Sequence, residues 1–350
     1  MQPQSEEELA EMVRSADAPL ALRGGATRHG PGAGLALETG GLSGISLYEP
    51  GALTLVVRAG TPLDQVEAAL AAEHQQLAFE PPRLGPLLGR DGVSTIGGVA
   101  ATNASGPRRV QAGACRDAMI GIRFVDGRGE VIRNGGRVMK NVTGYDLVKL
   151  LAGSRGRLGV ITELAFKLAP RPERVVTLIV PGDPVAAMTK ALGSPYDVTG
   201  AGYLPGIGAI VRVEGLSASV TYRAERLAAL LPGAEIVEGG QDHWAALRDV
   251  LPFAGQVGDV WRVICRPSDA TALIERAGAE AHLMDWGGGL IWFLTEPDHD
   301  LRTALGSFQG HAIRIRGAKD HLPLSPQVQA LNQGLYHQFD PKGLFAQQGA

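Results

Sequence analysis

Apolar and polar residues follow an order in the second half of the chain that occurs twice. Residues 174–238 read as strand, helix, strand, strand, helix, strand, and residues 259–316 give the same order again. The strand stretches are short and apolar or alternating, while the helical stretches space their apolar residues three or four positions apart. Two tandem βαββαβ units predict ferredoxin-like halves that share one wide antiparallel sheet with helices on one face.

The first half predicts shorter elements. Ser5 followed by Glu8 is a capping-box pattern and predicts a helix start. Thr61 is predicted to cap a second helix that has Pro62 at its first position. Because a residue before proline avoids the helical region, residues 79–82 are predicted to be extended. The remaining predictions are strands at 20–22, 45–48, 53–59 and 163–168, a hairpin joining 118–125 to 130–133, and helices at 146–152 and 326–339.

Residues 92–109 are rich in Gly, Ala, Ser, Thr and Asn and carry charge only at their last two positions. Side chains this small predict a wall rather than a helix with a core-facing side. Glycine lets a bulky planar ligand lie against the backbone, and Thr95, Asn103 and Ser105 add hydrogen-bonding groups. A second stretch, 138–163, ends in Gly-Val-Ile-Thr at 159–162, the apolar beginning of a strand. Together the two stretches predict one side of a cofactor site.

The loop at 23–30 reads RGGATRHG and is the second candidate for ligand binding. Consecutive glycines can turn successive backbone N–H groups inward to form a nest for an anion. Arg23 and Arg28 add positive charge and Thr27 adds a hydroxyl, which suits a pyrophosphate. A glycine-rich surface turn is the alternative. A dinucleotide fingerprint of the Rossmann type and a P-loop are both excluded, because no G-x-G-x-x-G joins a strand to a helix and the chain has no Gly-Lys pair.

Composition narrows the class of protein. With 350 residues, 45% hydrophobic and 20% charged, the chain is predicted to form one or two soluble domains. We place these at 1–173 and 174–350. A net charge of −3 disfavours nucleic acid as a partner. Cys115 and Cys265 make no disulfide or metal framework, and the scattered histidines predict no metal site. The acidic N-terminus and the lack of a long apolar run predict a cytoplasmic protein without a direct membrane span.

Specific strings carry a family resemblance. TIGGVAATNASGPRR (95–109), KNVTGYDLVKLLAGSRGRLGVIT (140–162) and EPP (80–82) resemble the FAD-binding domain of the vanillyl-alcohol oxidase/p-cresol methylhydroxylase superfamily. Within it they are most similar to the FAD-binding subunits of glycolate oxidases. The resemblance is strong from about residue 23 to 172 and fainter beyond. It implies an α+β fold, in which a p-cresol methylhydroxylase (PCMH)-type FAD-binding domain of two α+β subdomains is followed by an α/β cap with the tandem ferredoxin-like units.

The resemblance also implies which residues hold the cofactor. Some members attach flavin covalently through a histidine spaced R-x-G-G-H, but His29 lies further along, so FAD is expected to be non-covalent and His29 an exposed loop residue. The predicted FAD-binding residues are Arg23, Gly24, Gly25, Ala26, Thr27, Arg28, Pro81, Ser94, Thr95, Gly97, Gly98, Thr102, Asn103, Ser105, Gly106, Arg109, Gly159, Val160 and Ile161.

Oxidation of a 2-hydroxy acid needs a cation for the carboxylate and a base for the hydroxyl proton, besides the flavin. Arg108, Arg109 and Lys140 are candidate cations. The alternatives are that they hold FAD oxygens or pair with Asp117 and Asp146. The base is unassigned, because the H-x-G-D-G-N-x-H motif of related catalytic dehydrogenases is absent. No catalytic residue is therefore predicted.

For several other segments the sequence allows two interpretations. Residues 285–289 (DWGGG) with Trp292 could shape a pocket or subunit contact, or form a structural turn. Residues 339–345 resemble the closing segment of the family, but 346–349 lack its usual Asn-Pro-Gly, which puts a flavin contact there in doubt. Cys115 is expected to be a small buried side chain.

The partners follow from the resemblance. It implies glycolate or a related small 2-hydroxy acid as substrate, a sister FAD-linked catalytic subunit, and an iron–sulfur subunit of the same complex that could bring the chain to the inner membrane. One alternative is a self-sufficient FAD-dependent dehydrogenase of another hydroxy acid or alcohol, which would draw a base from Tyr145, Tyr203 or a cap histidine. A second alternative is a flavin-binding assembly subunit without turnover of its own.

Overall fold

A computed structural model describes residues 1–28, 32–136, 144–318 and 322–345. Predictions for His29, Lys140 and residues 346–349 lie outside the described residues. Within them, no helix combines the length and apolarity that a membrane span requires. The described His, Cys, Asp and Glu side chains also form no group of three that could hold a metal ion.

The first half is built on an antiparallel sheet that is flanked by short helices. Its strands are β1 (Leu20–Arg23), β2 (Leu35–Glu38), β3 (Ile45–Glu49), β4 (Thr54–Arg58), β5 (Gln75–Gln76), β6 (Met119–Val125), β7 (Val131–Gly135), β8 (Val160–Lys167) and β9 (Ala169–Pro170). Its helices are α1 (Glu6–Ser15), α2 (Leu63–Ala72), α3 (Gly85–Leu88), α4 (Ile96–Ala101), α5 (Arg109–Ala112), α6 (Cys115–Ala118) and α7 (Leu147–Leu151). The main sheet has the order β3-β4-β8-β6-β7, while β1 and β2 form a separate parallel pair.

Two buried clusters hold this half together. One lies between the main sheet and helices α2, α4 and α7, and includes Leu55, Val66 and Val99. The other lies under α1, whose Leu9 and Val13 pack against the β1–β2 pair. The capping prediction for α1 is confirmed, because the Ser5 hydroxyl accepts the Glu8 N–H. The hairpin prediction is also confirmed, since β6 and β7 pair antiparallel.

Two local predictions were wrong. The Thr61 hydroxyl does not cap α2; it donates to the Arg58 carbonyl at 2.7 Å, and extended Pro62 precedes the first helical residue. Glu80 is not extended, because its φ of 47° lies in the left-handed region. The charged contacts of its carboxylate, described below, hold Glu80 in this uncommon conformation.

The second half confirms the tandem arrangement. Its strands are β10 (Arg174–Val180), β11 (Gly200–Leu204), β12 (Gly208–Gly215), β13 (Glu235–Glu238), β14 (Asp259–Ile264), β15 (Ala281–Asp285), β16 (Leu290–Thr295) and β17 (His311–Arg316). Its helices are α8 (Pro184–Leu192), α9 (Ser217–Leu230), α10 (Gln241–Arg248), α11 (Ala270–Arg276), α12 (Leu301–Leu305) and α13 (Pro326–Phe339). The strand order β13-β10-β12-β11-β15-β16-β14-β17 is two mirrored ferredoxin-like sheets that meet at Tyr203 and Met284.

The two faces of this sheet are covered differently. Helices α8, α9, α11 and α12 bury one face, which includes Val211 and Phe293. The other face packs against α10 and against Leu84 and Leu87 of the first half. Helix α10 was missing from the sequence-based prediction, and its Trp244 is central to this contact. The first half therefore covers part of this face, and α10 covers another part.

The chain end returns to the first half. Leu335 and Phe339 of α13 pack on the core between the main sheet and α4, and Phe345 is buried beside Leu9. Asp340 fixes this turn, since its carboxylate accepts the N–H groups of Leu344 and Phe345 at 2.9 and 2.7 Å. The division at 173/174 stays a prediction.

Candidate cofactor site

A cavity of about 240 Å³ lies where the loop after β1, helix α4 and the start of β8 converge. Thirteen of the nineteen predicted residues line it: Arg23, Gly24, Gly25, Ala26, Thr27, Arg28, Thr95, Gly97, Gly98, Thr102, Gly159, Val160 and Ile161. Six further residues line it that the sequence did not indicate: Leu22, Thr39, Ala59, Ala101, Arg155 and Gly156. The glycine loop and the small-residue stretch thus line one cavity, although they lie about seventy residues apart in sequence.

Arg28 is the best-positioned cation of the cavity. Its Nη1 donates to the Ser94 hydroxyl at 2.7 Å, and its Nη2 donates to the Pro82 carbonyl at 2.5 Å. Its Nε is buried and has no hydrogen-bond partner among the described residues, as is also true of the Arg23 Nε. Burial lowers the pKa of Arg28 to about 10. Unpaired buried donors are costly, so both arginines fit an anionic group of a bound ligand such as a diphosphate.

The small-residue stretch is a helix, which corrects the sequence-based prediction. The Thr95 hydroxyl caps α4 by accepting the Gly98 N–H at 3.2 Å. Ile96, Val99 and Ala100 supply the buried core face that the small residues were expected to lack.

The glycines of the cavity serve packing as well as ligand space. A Cβ on Gly25 would lie 1.4 Å from the Val93 carbonyl oxygen, and one on Gly97 would lie 2.6 Å from the Ala59 carbonyl oxygen. Both glycines are therefore required by neighbouring backbone, not only by a ligand. A Cβ on Gly98 would meet nothing closer than the Thr95 Oγ1 at 3.3 Å.

Six predicted residues do not line the cavity: Pro81, Ser94, Asn103, Ser105, Gly106 and Arg109. Ser94 acts on it through Arg28. The Asn103 side chain accepts the Arg116 N–H, and the Ser105 hydroxyl accepts the Cys115 N–H, both at 2.9 Å. These two side chains therefore shape the turn after α4. Their direct contact with a cofactor stays a prediction.

Arg108 belongs to an ion-pair network between the two halves. Its Nη1 lies 2.7 Å from the Glu214 carboxylate, and its backbone N–H donates to Glu80 at 2.7 Å. Arg212 grips the same Glu80 carboxylate with two hydrogen bonds. Burial opposes ionisation of Glu80, but the charges and hydrogen bonds of Arg212 and Arg108 outweigh it and keep the pKa of Glu80 below its ordinary value. Arg108 is therefore not a free cation for a ligand.

The suggested partners of the arginines were wrong. Asp117 accepts the Ala114 N–H at 2.9 Å, and Asp146 caps α7 by accepting the Lys149 N–H at 3.0 Å. In the described structure neither carboxylate forms an ion pair with Arg108 or Arg109.

The turn at 285–289 packs within the chain. The Trp286 indole N–H donates to the Gly106 carbonyl at 3.0 Å, and its ring lies under the guanidinium groups of Arg109 and Arg262, at 4.4 and 5.4 Å. Asp285 beside it is buried, and this burial raises its pKa to about 7.

Neither tyrosine that was considered as a catalytic base lines the cavity. Tyr145 is 89% exposed. Tyr203 stacks on His282 at 5.1 Å and packs on the helix-covered face of the sheet. Cys115 is fully buried in the core of the first half, as expected.

Two arginines escaped sequence reasoning: Arg155, which lines the cavity, and Arg262 on β14. Arg155 stands between Ser154 and Gly156 and has a φ of 55°. Arg262 occupies a strand position whose neighbours Val260 and Ile264 face inward. A charged residue at an inward position of an alternating strand was the signal that could have found Arg262.

Comparisons with known proteins agree with this architecture. A family model described as an FAD binding domain matches residues 1–135. Glycolate oxidase subunit GlcE of Escherichia coli (strain K12) is 38% identical over 308 residues, covering 86% of this chain and 83% of that protein. D-lactate dehydrogenase of Anaerostipes hadrus is 36% identical over 169 residues, covering 48% and 34%. The solved structure of an alkyldihydroxyacetonephosphate synthase has a TM-score of 0.73 at 16% identity, covering 99% of this chain and 75% of that one.

The fold and the matched domain define an FAD-binding protein of the p-cresol methylhydroxylase type, which confirms the predicted fold class. The chain belongs to the family of glycolate oxidase subunit GlcE, as predicted. Its relatives also confirm the predicted class of FAD-dependent oxidoreductase.

Proposed function

We propose that this chain is the FAD-binding subunit of a complex that oxidises glycolate to glyoxylate and passes the electrons to an iron–sulfur subunit. Family membership supports the reaction, since the relationship to the E. coli subunit extends over most of both chains. The observation that carries the cofactor assignment is the cavity with two buried, unpaired arginine Nε atoms on a glycine-rich loop.

The described residues fit FAD held without a covalent bond. Arg23 and Arg28 would neutralise the pyrophosphate, with Thr27 and the loop N–H groups beside them. Helix α4, from Thr95 to Thr102, and the β8 start at Gly159–Ile161 would form the walls along the rest of the nucleotide.

Bound flavin supplies the acceptor for the hydride that leaves the α-carbon of the substrate. The chain itself would bind and orient the cofactor and exclude water between its two halves. The sister FAD-linked subunit, with the histidine motif absent here, would hold the proton-accepting group. We therefore expect the isolated chain to oxidise glycolate slowly. We also propose separate domains at 1–173 and 174–350, and attachment to the inner membrane only through the complex.

The first experiment is to purify the chain alone and record its flavin absorbance with and without glycolate under anaerobic conditions. A yellow protein whose flavin stays oxidised alone, but is reduced once the other subunits are added, supports the proposal. A colourless protein that cannot be reconstituted with FAD contradicts it. Reduction by the isolated chain as fast as by the complex would identify a self-sufficient dehydrogenase.

The second experiment separates electron transfer from assembly. The chain is loaded with 5-deaza-FAD, which cannot pass single electrons, and then combined with the other subunits. Loss of glycolate-dependent electron transfer, with assembly intact, supports the relay role. Full activity would identify a flavin-binding assembly subunit.

A further inference from the structure

Three arginines at the junction of the two halves have no ion-pair partner among the described residues. They are Arg109 at the start of α5, Arg155 in the loop before β8, and Arg262 on β14. All three are partly buried. None of them has an ion pair or a side-chain hydrogen bond to another described residue, whereas Arg108 and Arg212 form ion pairs with Glu214 and Glu80.

The cluster has a defined geometry. Arg262 pairs with Trp292 across the sheet, so it lies on the face that is turned toward the first half. The Trp286 ring contacts Arg262 from one half and Arg109 from the other, with the guanidinium carbons 5.4 and 4.4 Å from its centroid. The indole is itself fixed to the Gly106 carbonyl. Trp286 is therefore a positioning residue for two cations that come from different halves.

The third cation joins this cluster to the cofactor cavity. Arg155 lines the cavity, and its charge reaches Arg262. Burial, and then the positive charges of Arg109 and Arg155, lower the pKa of Arg262 to about 10. Arg109 and Arg262 do not line the cavity, so Arg155 is the member of the cluster that connects it to the cofactor site.

Like charges that are partly buried together destabilise each other unless an anion lies between them. The buried Asp285 carboxylate accepts the Trp286 N–H at 2.7 Å and forms no ion pair with any of the three arginines among the described residues. Burial raises the pKa of Asp285 to about 7 and outweighs the charge of Arg262, which lowers that pKa. We propose that Arg109, Arg155 and Arg262 form a subsite for the carboxylate of a small substrate, adjoining the flavin and separate from the pyrophosphate-binding arginines. This assignment rests on the proposed function for the identity of the substrate class.

Oxalate is the probe, because it carries the carboxylate of a 2-hydroxy acid but has no α-hydrogen to oxidise. Calorimetric titration of the FAD-loaded chain should show one oxalate site. Arg262→Gln and Arg109→Gln should each weaken oxalate binding by about ten- to a hundredfold, since a hydrogen bond to a charged group is lost. The FAD content of both variants should equal that of the wild type. Arg226→Gln is the matched control, because Arg226 also lies over an aromatic ring, 5.1 Å from Tyr222, but on the exposed surface.

The melting temperature of Arg262→Gln is a second readout. Replacing an arginine with a purely structural role would lower it. Without oxalate, Arg262→Gln should melt at the same or a higher temperature than the wild type, because charge repulsion is relieved. Added oxalate should raise the melting temperature of the wild type and of Arg226→Gln, and should raise that of Arg262→Gln much less.

Several results would overturn the subsite. These are unchanged oxalate affinity in Arg262→Gln, no oxalate binding by fully FAD-loaded wild type, or inorganic phosphate binding as tightly as oxalate. A marked loss of stability in oxalate-free Arg262→Gln would also count against it. A wild-type chain that fails to bind FAD would instead contradict the proposed function, so the two failures are distinguishable.

Discussion

Arg212 and Glu80 join the two halves of the chain through a two-pronged ion pair, with Nη1 2.8 Å from Oε1 and Nη2 2.9 Å from Oε2. Arg212 lies on the sheet of the second half, and Glu80 lies in the segment that leads to the cofactor cavity. The next residues, Pro81 and Pro82, continue to the carbonyl that holds Arg28. The pair therefore links the docking of the second half to the position of a cavity arginine.

Glu80→Gln should destabilise the protein strongly. The substitution removes the negative charge that neutralises the buried guanidinium groups of Arg212 and Arg108. Leaving a buried charge without its partner typically lowers the free energy of unfolding by about 3–5 kcal/mol. The measurement is the free energy of unfolding in urea. Glu238→Gln is the control, since Glu238 makes a comparable contact with Arg174 on the exposed surface and should change stability little. Equal, small effects of the two substitutions would contradict a stabilising role of the network.

Asp285 should make stability depend on pH in a direction opposite to that of an ordinary ion-paired acid. Burial raises its pKa to about 7 in the folded chain. Between about pH 4 and 7 the folded state holds a proton that the unfolded state releases. The contribution of neutral Asp285 to the free energy of unfolding is therefore fully present below about pH 4, and it is lost as the pH rises through about 7.

Asp285→Asn should remove this dependence. At pH 8 we expect the variant to exceed the wild type by on the order of 4 kcal/mol, and at pH 4 we expect the two to be similar. Thermal melts at both pH values check this. A variant that is less stable than the wild type at pH 8 would show that Asp285 is ionised and paired in the folded protein.

The repeated order of strands and helices was predictable because alternation and helical spacing are local properties. Helix α8 has the predicted bounds, Pro184–Leu192. Helix α10 escaped prediction because it lies between the two repeats and starts with Gln241 and Asp242, so its few apolar residues were read as a connection.

Only those parts of the candidate site that are formed by continuous segments of sequence could be predicted. The loop at 23–28 and the stretch at 95–102 are continuous in sequence, so composition alone marked them. The sequence could not assign different roles to Arg108 and Arg109, because the two residues are adjacent. They differ only in which residues of the second half contact them in the folded chain. Glu214 and Arg212 on β12 engage Arg108, while Trp286 on another strand connection contacts Arg109. Contacts between elements this distant leave no local pattern.

Arg28→Gln should weaken FAD binding with little change in the apo fold. We expect an affinity about ten- to a hundredfold lower, as for loss of charged hydrogen bonds to a phosphate. Fluorescence titration of the apo chain with FAD measures it, and circular dichroism checks the fold. Arg226→Gln serves again as an exposed control. Unchanged affinity in a folded Arg28→Gln variant would remove Arg28 from the pyrophosphate site.

Gly98→Leu should close the cavity without disturbing the helix that forms its wall. A Cβ at Gly98 meets only Thr95 Oγ1 at 3.3 Å and Arg28 Nη1 at 3.8 Å, so a longer side chain would extend into ligand space. Leucine also favours a helix over glycine by about 0.8 kcal/mol. We therefore expect a folded protein with little or no bound FAD, measured as the ratio of absorbance at the flavin and protein bands.

Two matched variants make this result specific to the cavity. Gly334→Leu places the same change on exposed α13, where a Cβ meets no neighbour within 4 Å, and should leave the protein yellow. Gly97→Leu should instead lose the fold, because its Cβ would lie 2.6 Å from the Ala59 carbonyl oxygen. A folded Gly98→Leu protein with a full complement of FAD would place the flavin nucleotide elsewhere, since the added side chain and the cofactor cannot share this cavity.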